Sequence, residues 1–203
     1  MKSIGRHVRA RLLAAYVLGA CALGMYGSTA WADIYVLDPV HTQVTFLVNH
    51  LGFSNSSGRF HVSRSALELD PQDWSKSSVQ VTIPVDSLDM GDPTWKEHVT
   101  GARFLEADKY PTMTFKSTKV EVIDASHLKV TGNLTLHGVT KPVMLDTVVN
   151  KVGRNPLTRL PWAGFSATAQ IKRSDFGMSN LLGLVGDDVT IRIEAEGGIG
   201  QAK

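Results

Sequence analysis

The chain has 203 residues, with 21 Lys+Arg against 19 Asp+Glu, a formal charge of +2, seven histidines and one cysteine. A composition that is 43% hydrophobic and 20% charged excludes collagen-like, coiled-coil and disordered classes. A chain of this size makes one domain and buries roughly 70% of its unfolded surface, so it needs no disulfide or metal to hold it together.

The charge is unevenly placed. Lys2, Arg6, Arg9 and Arg11 all precede Leu12, no acidic residue occurs before Asp33, and the run from Leu12 to Met25 is apolar or small. That is the layout of a secretory signal peptide, ending in the small-residue site Ala30-Trp31-Ala32. The run falls short of the about 20 residues that a membrane-spanning helix needs, so no integral membrane segment is expected. Cleavage after Ala32 would divide the chain into a signal, 1–32, and one domain, 33–203. The 21 basic residues less those four leave 17 against 19 acidic ones, a net charge of −2, which gives no electrostatic reason to expect nucleic acid. Cys21 falls inside the signal, so the domain is expected to lack disulfides, thiolate chemistry and cysteine-bound metal. Leu18-Gly19-Ala20-Cys21 also reads as a lipobox, but the largely apolar stretch 22–32 and the Ala-x-Ala site favour free release. A cleaved signal on a cysteine-free domain points to the periplasm.

Beyond residue 33 apolar residues alternate with period two, and helical periodicity is nearly absent. In chain order the expected strands are 34–37, 41–50, 58–70, 77–86, 112–123, 127–137, 142–152, 163–173 and 188–198. In the second, Val44, Phe46 and Val48 alternate with polar neighbours; in the fourth, Val79, Val81, Ile83 and Val85 do the same. Pro84 places that strand at an edge or a bulge. Further on, Val130, Leu134 and Leu136, then Phe165, Ala167, Ala169 and Ile171, then Ile191, Ile193 and Ala195 each form one apolar face. One wet and one apolar face per strand is the mark of antiparallel sheet. Turns are expected at 54–58, 124–126, 137–138 and 186–187. The stretch Ser87–Pro111 is different: Asp92-Pro93 reads as a helix start, with short helical candidates at 94–98 and 102–107. A connection of that length tends to be functional.

About eight long antiparallel strands close into a barrel or stack as a sandwich, and a barrel of that size holds one small ligand. The small residues Ser117, Gly132, Ala167 and Ala169 on apolar faces favour the hollow barrel. The six histidines after residue 33 (41, 50, 61, 98, 127 and 137) form no metal-binding spacing, and no Gly-x-Ser-x-Gly elbow or phosphate loop occurs. Gly197-Gly198-x-Gly200, with no helix after it, reads as a frayed tail. No cofactor, metal site or catalytic residue is nominated. Leu181 and Leu182 lie in an apolar loop-like run, and Phe104-Leu105 in the long connection could cap an opening.

Asp38-Pro39-x-His41-Thr42-x-Val44-x-Phe46 followed by Asn49-His50-Leu51-Gly52 resembles the opening motif of the YceI-like family of polyisoprenoid-binding proteins. Gly58-x-Phe60, Lys109-Tyr110-Pro111, Gly132 through Pro142, Arg173-Ser174-Asp175-Phe176-Gly177 and Val185-Gly186-Asp187 continue the likeness in order. The resemblance implies an all-β, extended eight-stranded antiparallel lipocalin-like barrel with a short helix in its long connection. It also implies a tunnel for a long isoprenoid or similar amphiphile, a periplasmic location and frequent homodimers. Lys96-Glu97-His98-Val99 and Phe104-Leu105 depart from the family's usual Arg-Asp-x-His-Leu and Phe-Phe, which bears on the ligand more than on the fold.

The expected function is a carrier of a long-chain isoprenoid, a quinone or a polyprenyl lipid. Tunnel-lining residues are expected at Phe46, Val48, Phe60, Val81, Phe115, Leu134, Leu136, Phe165, Ala167, Ala169 and Ile171, with Phe104, Phe176, Leu181 and Leu182 at the rim. Two alternatives stand beside it: a lipid-modifying enzyme with His50 or His98 as base, and a stress-related accessory that docks on a membrane redox protein.

Overall fold

The computed structural model describes residues 33–199; the expected signal peptide, Cys21 and Gly200 lie outside them. Ten strands form one antiparallel sheet: β1 (Asp33–Leu37), β2 (Gln43–His50), β3 (Ser54–Phe60), β4 (Arg64–Leu69), β5 (Ser78–Pro84), β6 (Thr112–Val122), β7 (His127–Leu136), β8 (Val139–Arg154), β9 (Pro161–Lys172) and β10 (Val185–Ile199). From β4 the sheet runs in sequence order through β10, which returns to pair with β1, and β1 pairs with β4, so eight strands close a barrel.

Closure depends on β10 changing partners along one edge. Its first part, Val185 to Glu194, pairs with β2, and its last residues, from Gly197, pair with β1. The corner between β1 and β2 is the Asp38-Pro39-x-His41-Thr42 motif. Here the Asp38 N–H and the buried Thr42 hydroxyl both donate to the Glu196 carbonyl, and the Asp38 carboxylate accepts from the Val40 N–H and meets His41 Nδ1 at 2.8 Å. The β2–β3 hairpin therefore extends the wall past the end of β1. Arg59 and Asp89 exchange backbone hydrogen bonds and a 2.9 Å ion pair, which tie β3 to the segment after β5. With a rise of about 3.4 Å per residue, the fifteen residues of β10 make this wall roughly 50 Å long along the strand.

Five expectations change. The span 58–70 is two strands, and the serine-rich stretch 54–58 is part of β3 rather than a turn. The turn is Leu51-Gly52, with φ of 57° and 75°. Glycine stands at position 58 of β3 because larger residues lie across it: a Cβ there would come within 2.5 Å of Met90 Sδ and 2.6 Å of the Phe46 ring. Only the first helical candidate forms a helix, α1 (Pro93–Thr100), with Asp92 as N-cap accepting from the Trp95 N–H and Pro93 in the first turn. The stretch 102–107 is a set of turns. The turn expected at 186–187 falls inside β10, the turns before it being at 180–184, and Gly197 and Gly198 are strand residues rather than a frayed tail.

Strand faces alternate as expected until a bulge shifts them. In β6 the inward residues are Met113 and Phe115, but after the irregularity between Ser117 and Lys119 the inward residue is Val120. In β8 the shift between Val149 and Lys151 turns Val152 inward in place of Lys151. Pro84 lies beyond the reach of β4, whose pairing with β5 ends at Thr82, so it costs no ladder hydrogen bond on that side.

Candidate functional site

The inward faces leave two cavities inside the barrel. The wider, about 400 Å³, lies under the β2–β3 hairpin and α1; the narrower, about 170 Å³, runs toward the β4–β5 connection. Val44, Ile83, Leu134 and Ile191 border both, so the two are successive compartments of one tunnel. Trp74, in a 3-10 turn (Trp74–Lys76), borders the narrow compartment, and its ring packs edge-on against Phe165 at 6.2 Å.

Most residues expected to line a tunnel border one compartment or the other. Phe46, Val48, Phe60, Leu136 and Ile171 face the wide one, Val81, Phe115, Phe165 and Ala167 the narrow one, and Leu134 both. Of the rim residues, Phe104 and Leu181 border the wide compartment. Ala169, Phe176 and Leu182 border neither. Ala169 is buried among core side chains, and Leu182 sits outside on the 180–184 turns, 42% exposed. Phe176 is 1% exposed because the 3-10 turn Arg173–Phe176 rolls it into the core, ending on Gly177 at φ 80° with Ser174 tied to Asp187.

The small residues also divide. Ala167 leaves space in the narrow compartment, whereas Gly132 makes room for Phe115, whose ring would stand 2.4 Å from an added Cβ. Ser117 accepts a hydrogen bond from the Val79 N–H at the β6 bulge. Strand alternation gave no access to Trp74, Met90, Trp95, Val99 or Met178, which reach the tunnel from connections. The Asp92-Pro93 helix start was the one sequence signal that any of those connections is ordered.

The lining is mostly apolar, and polar residues border both compartments: Thr42, Ser77, Ser78 and Thr147 the narrow one, His50, Ser56, His98 and Arg173 the wide one. Arg173 is 4% exposed and donates to the carbonyls of Met178, Val185 and Gly186 at 2.6 to 2.9 Å, which fastens the 178–186 segment over this end of the barrel. Burial lowers its pKa, against the opposing pull of Asp187, and its guanidinium lies 5.9 Å from the Phe104 ring centre. Leu51 and Leu184 join at the mouth through a backbone hydrogen bond, with the Phe53 side chain 91% exposed beside them.

Outside the barrel, Asp38, His41 and Glu196 bring ligand-type atoms within 4.8 Å of one another at the β1–β2 corner. The hydrogen bond to Asp38 raises the His41 pKa and lowers that of Asp38, which accounts for this group as part of the corner.

A closed antiparallel barrel around an apolar tunnel, with one short helix over the mouth, defines a lipocalin-like binding fold. The YceI-like domain model matches residues 35–197, and the chain belongs to that family. A UPF0312 protein of Vibrio cholerae is 36% identical over 167 residues, covering 79% of this chain and 86% of its own length. One from Azotobacter vinelandii is 34% identical over 193 residues, covering 92% and 97%. Among solved structures, BcnA of Burkholderia cenocepacia aligns with a TM-score of 0.71 at 26% identity, over 79% of this chain and 98% of its own. The YCEI protein of Campylobacter jejuni aligns at 0.66 and 34%, over 75% and 90%. A polyisoprenoid binding domain from Saccharophagus degradans shares the fold at 16% identity, with a TM-score of 0.62 over 84% and 99%.

Proposed function

We propose that this protein binds a long-chain isoprenoid, an isoprenoid quinone or a polyprenyl lipid, in its tunnel and carries it through the periplasm. The observation that carries this reading is the pair of apolar compartments joined across Val44, Ile83, Leu134 and Ile191. A branched hydrocarbon chain gains about 0.8 kcal/mol per buried methylene, so a few isoprene units outweigh the cost of fixing a flexible ligand. Membership of the YceI-like family and the shared fold of the Saccharophagus polyisoprenoid binding domain support the ligand class. The basic, apolar and small-residue layout of 1–32 supports export.

Binding is favoured over turnover by the state of the two histidines. A general base is oriented by a third group, and among the described residues His50 and His98 contact the rings of Trp95 and Phe104 rather than a carboxylate.

Organic extraction of natively purified protein, followed by mass spectrometry, tests the reading. The expected result is a stoichiometric isoprenoid from wild type and a clear loss of it from Ala167→Trp, whose indole would fill the narrow compartment. An empty wild-type extract together with no uptake of added prenols, or unchanged occupancy in the variant, would overturn it.

A further inference from the structure

Strand β3 puts Ser56, Gly58 and Phe60 on its inward face. Two of these are explained by packing: Gly58 accommodates Phe46 and Met90, and Phe60 stacks near Phe46 at 5.8 Å. Ser56 is not. It is 8% exposed, borders the wide compartment, and its hydroxyl meets no hydrogen-bond partner among the described residues. An apolar side chain of similar size would line an apolar tunnel at less cost, because a buried hydroxyl left unpaired is unfavourable.

His50 lies on the same face. Val48 pairs with Ser56 and His50 with Ser54, so His50 and Ser56 are diagonal neighbours across the hairpin, at the about 7–8 Å separation usual for such positions. Among the described residues the His50 ring meets Trp95 and no hydrogen-bonding group. In either neutral tautomer it offers one donor and one acceptor, and a hydroxyl offers both. Both border the wide compartment, so a ligand oxygen there has a donor and an acceptor within one face of the hairpin. The buried cation of the compartment, Arg173, already donates to three backbone carbonyls, and the hydroxyls that border the narrow compartment, on Thr42, Ser77, Ser78 and Thr147, each have a hydrogen-bond partner within the protein.

We propose that Ser56 and His50 together bind a hydroxyl or carbonyl oxygen on the ligand, so that its polar head lies at the mouth and its hydrocarbon points toward Trp74. This rests on the tunnel reading above and adds what that reading lacks, the residues that distinguish an oxygenated lipid from a plain hydrocarbon and fix which end enters first.

A matched pair of probes, phytol and its alkane phytane, tests it by equilibrium binding to the purified protein. Wild type is expected to prefer phytol. Ser56→Ala should weaken phytol about tenfold and leave phytane within about twofold, since one hydrogen bond is lost without loss of apolar contact. His50→Leu should act in the same direction, with an unchanged circular dichroism spectrum for both variants. Equal affinity of wild type for the two probes, an equal loss of both in the variants, or no change in phytol binding would overturn the head-group inference while leaving the tunnel reading intact. Wild type that binds neither probe would overturn the tunnel reading as well.

Discussion

Gly197 closes the barrel at the point where β10 passes from β2 to β1. A Cβ there would stand 2.2 Å from the Val36 carbonyl oxygen and 2.7 Å from Leu37 Cα, both backbone atoms that cannot swing aside. Gly198 is under similar pressure from the Trp162 ring and the Pro161 carbonyl. Gly197→Ala is therefore expected to lower unfolding free energy by about 1–3 kcal/mol, read from the urea midpoint, as overpacking elsewhere does. A second residue-scale prediction concerns the β6–β7 turn. Backbone N–H groups of Ser126 and His127, with the His127 ring, hold the Asp124 carboxyl down to about 2. Its folded value lies below the unfolded 3.8, so the turn's contribution is complete above pH 3.8 and fades as pH falls through about 2. Carboxyl chemical shifts of Asp124 followed by NMR should titrate near 2, and at the ordinary aspartate value if the turn is not formed.

At the scale of elements, the 3-10 turn that borders the narrow compartment is held by its own network. Asp70 accepts from the Gln72 and Asp73 N–H groups, Asp73 caps Ser75 and pairs with Lys76, and the Ser77 hydroxyl accepts from the Asp70 N–H. That network fixes the backbone that presents Trp74 to the narrow compartment, where its ring meets Phe165. Trp74→Ala should lengthen the narrow compartment and shift preference in a prenol series from shorter to longer chains, with bound chain length read by mass spectrometry. An unchanged length profile would assign the limit to other residues. The β2–β3 hairpin shows why elements were only partly legible. Its Leu51-Gly52 turn places a leucine in the left-handed region, which leucine disfavours, so the local signal lay instead with the serines that follow.

For the whole molecule, period-two alternation was enough to give an antiparallel, all-β fold, because one face of each strand meets the tunnel and the other meets water. Val44, Phe46 and Val48, or Phe165 and Ala167, could be placed inward from spacing alone. What alternation could not supply was the effect of bulges, as at Val120 and Val152, or the tunnel residues that come from turns, such as Trp74 and Met178. Nor could it show that Ala169 and Phe176 serve packing, since a residue turned inward may meet either the core or the space within it.

The exchange of partners on β10 also governs when the barrel can form. Among the described residues its two edge partners, β1 and β2, are the first strands and β10 is the last, so both seams join segments about 140 residues or more apart. Contacts of such long sequence separation are slow to form. Until residues 185–199 are available, β1 and β2 have each lost a neighbour, and the hydrocarbon-lined interior has no seal. Sealing of the hydrocarbon-lined interior is therefore expected late in folding, when the fifteen residues of β10 pair with both edges at once.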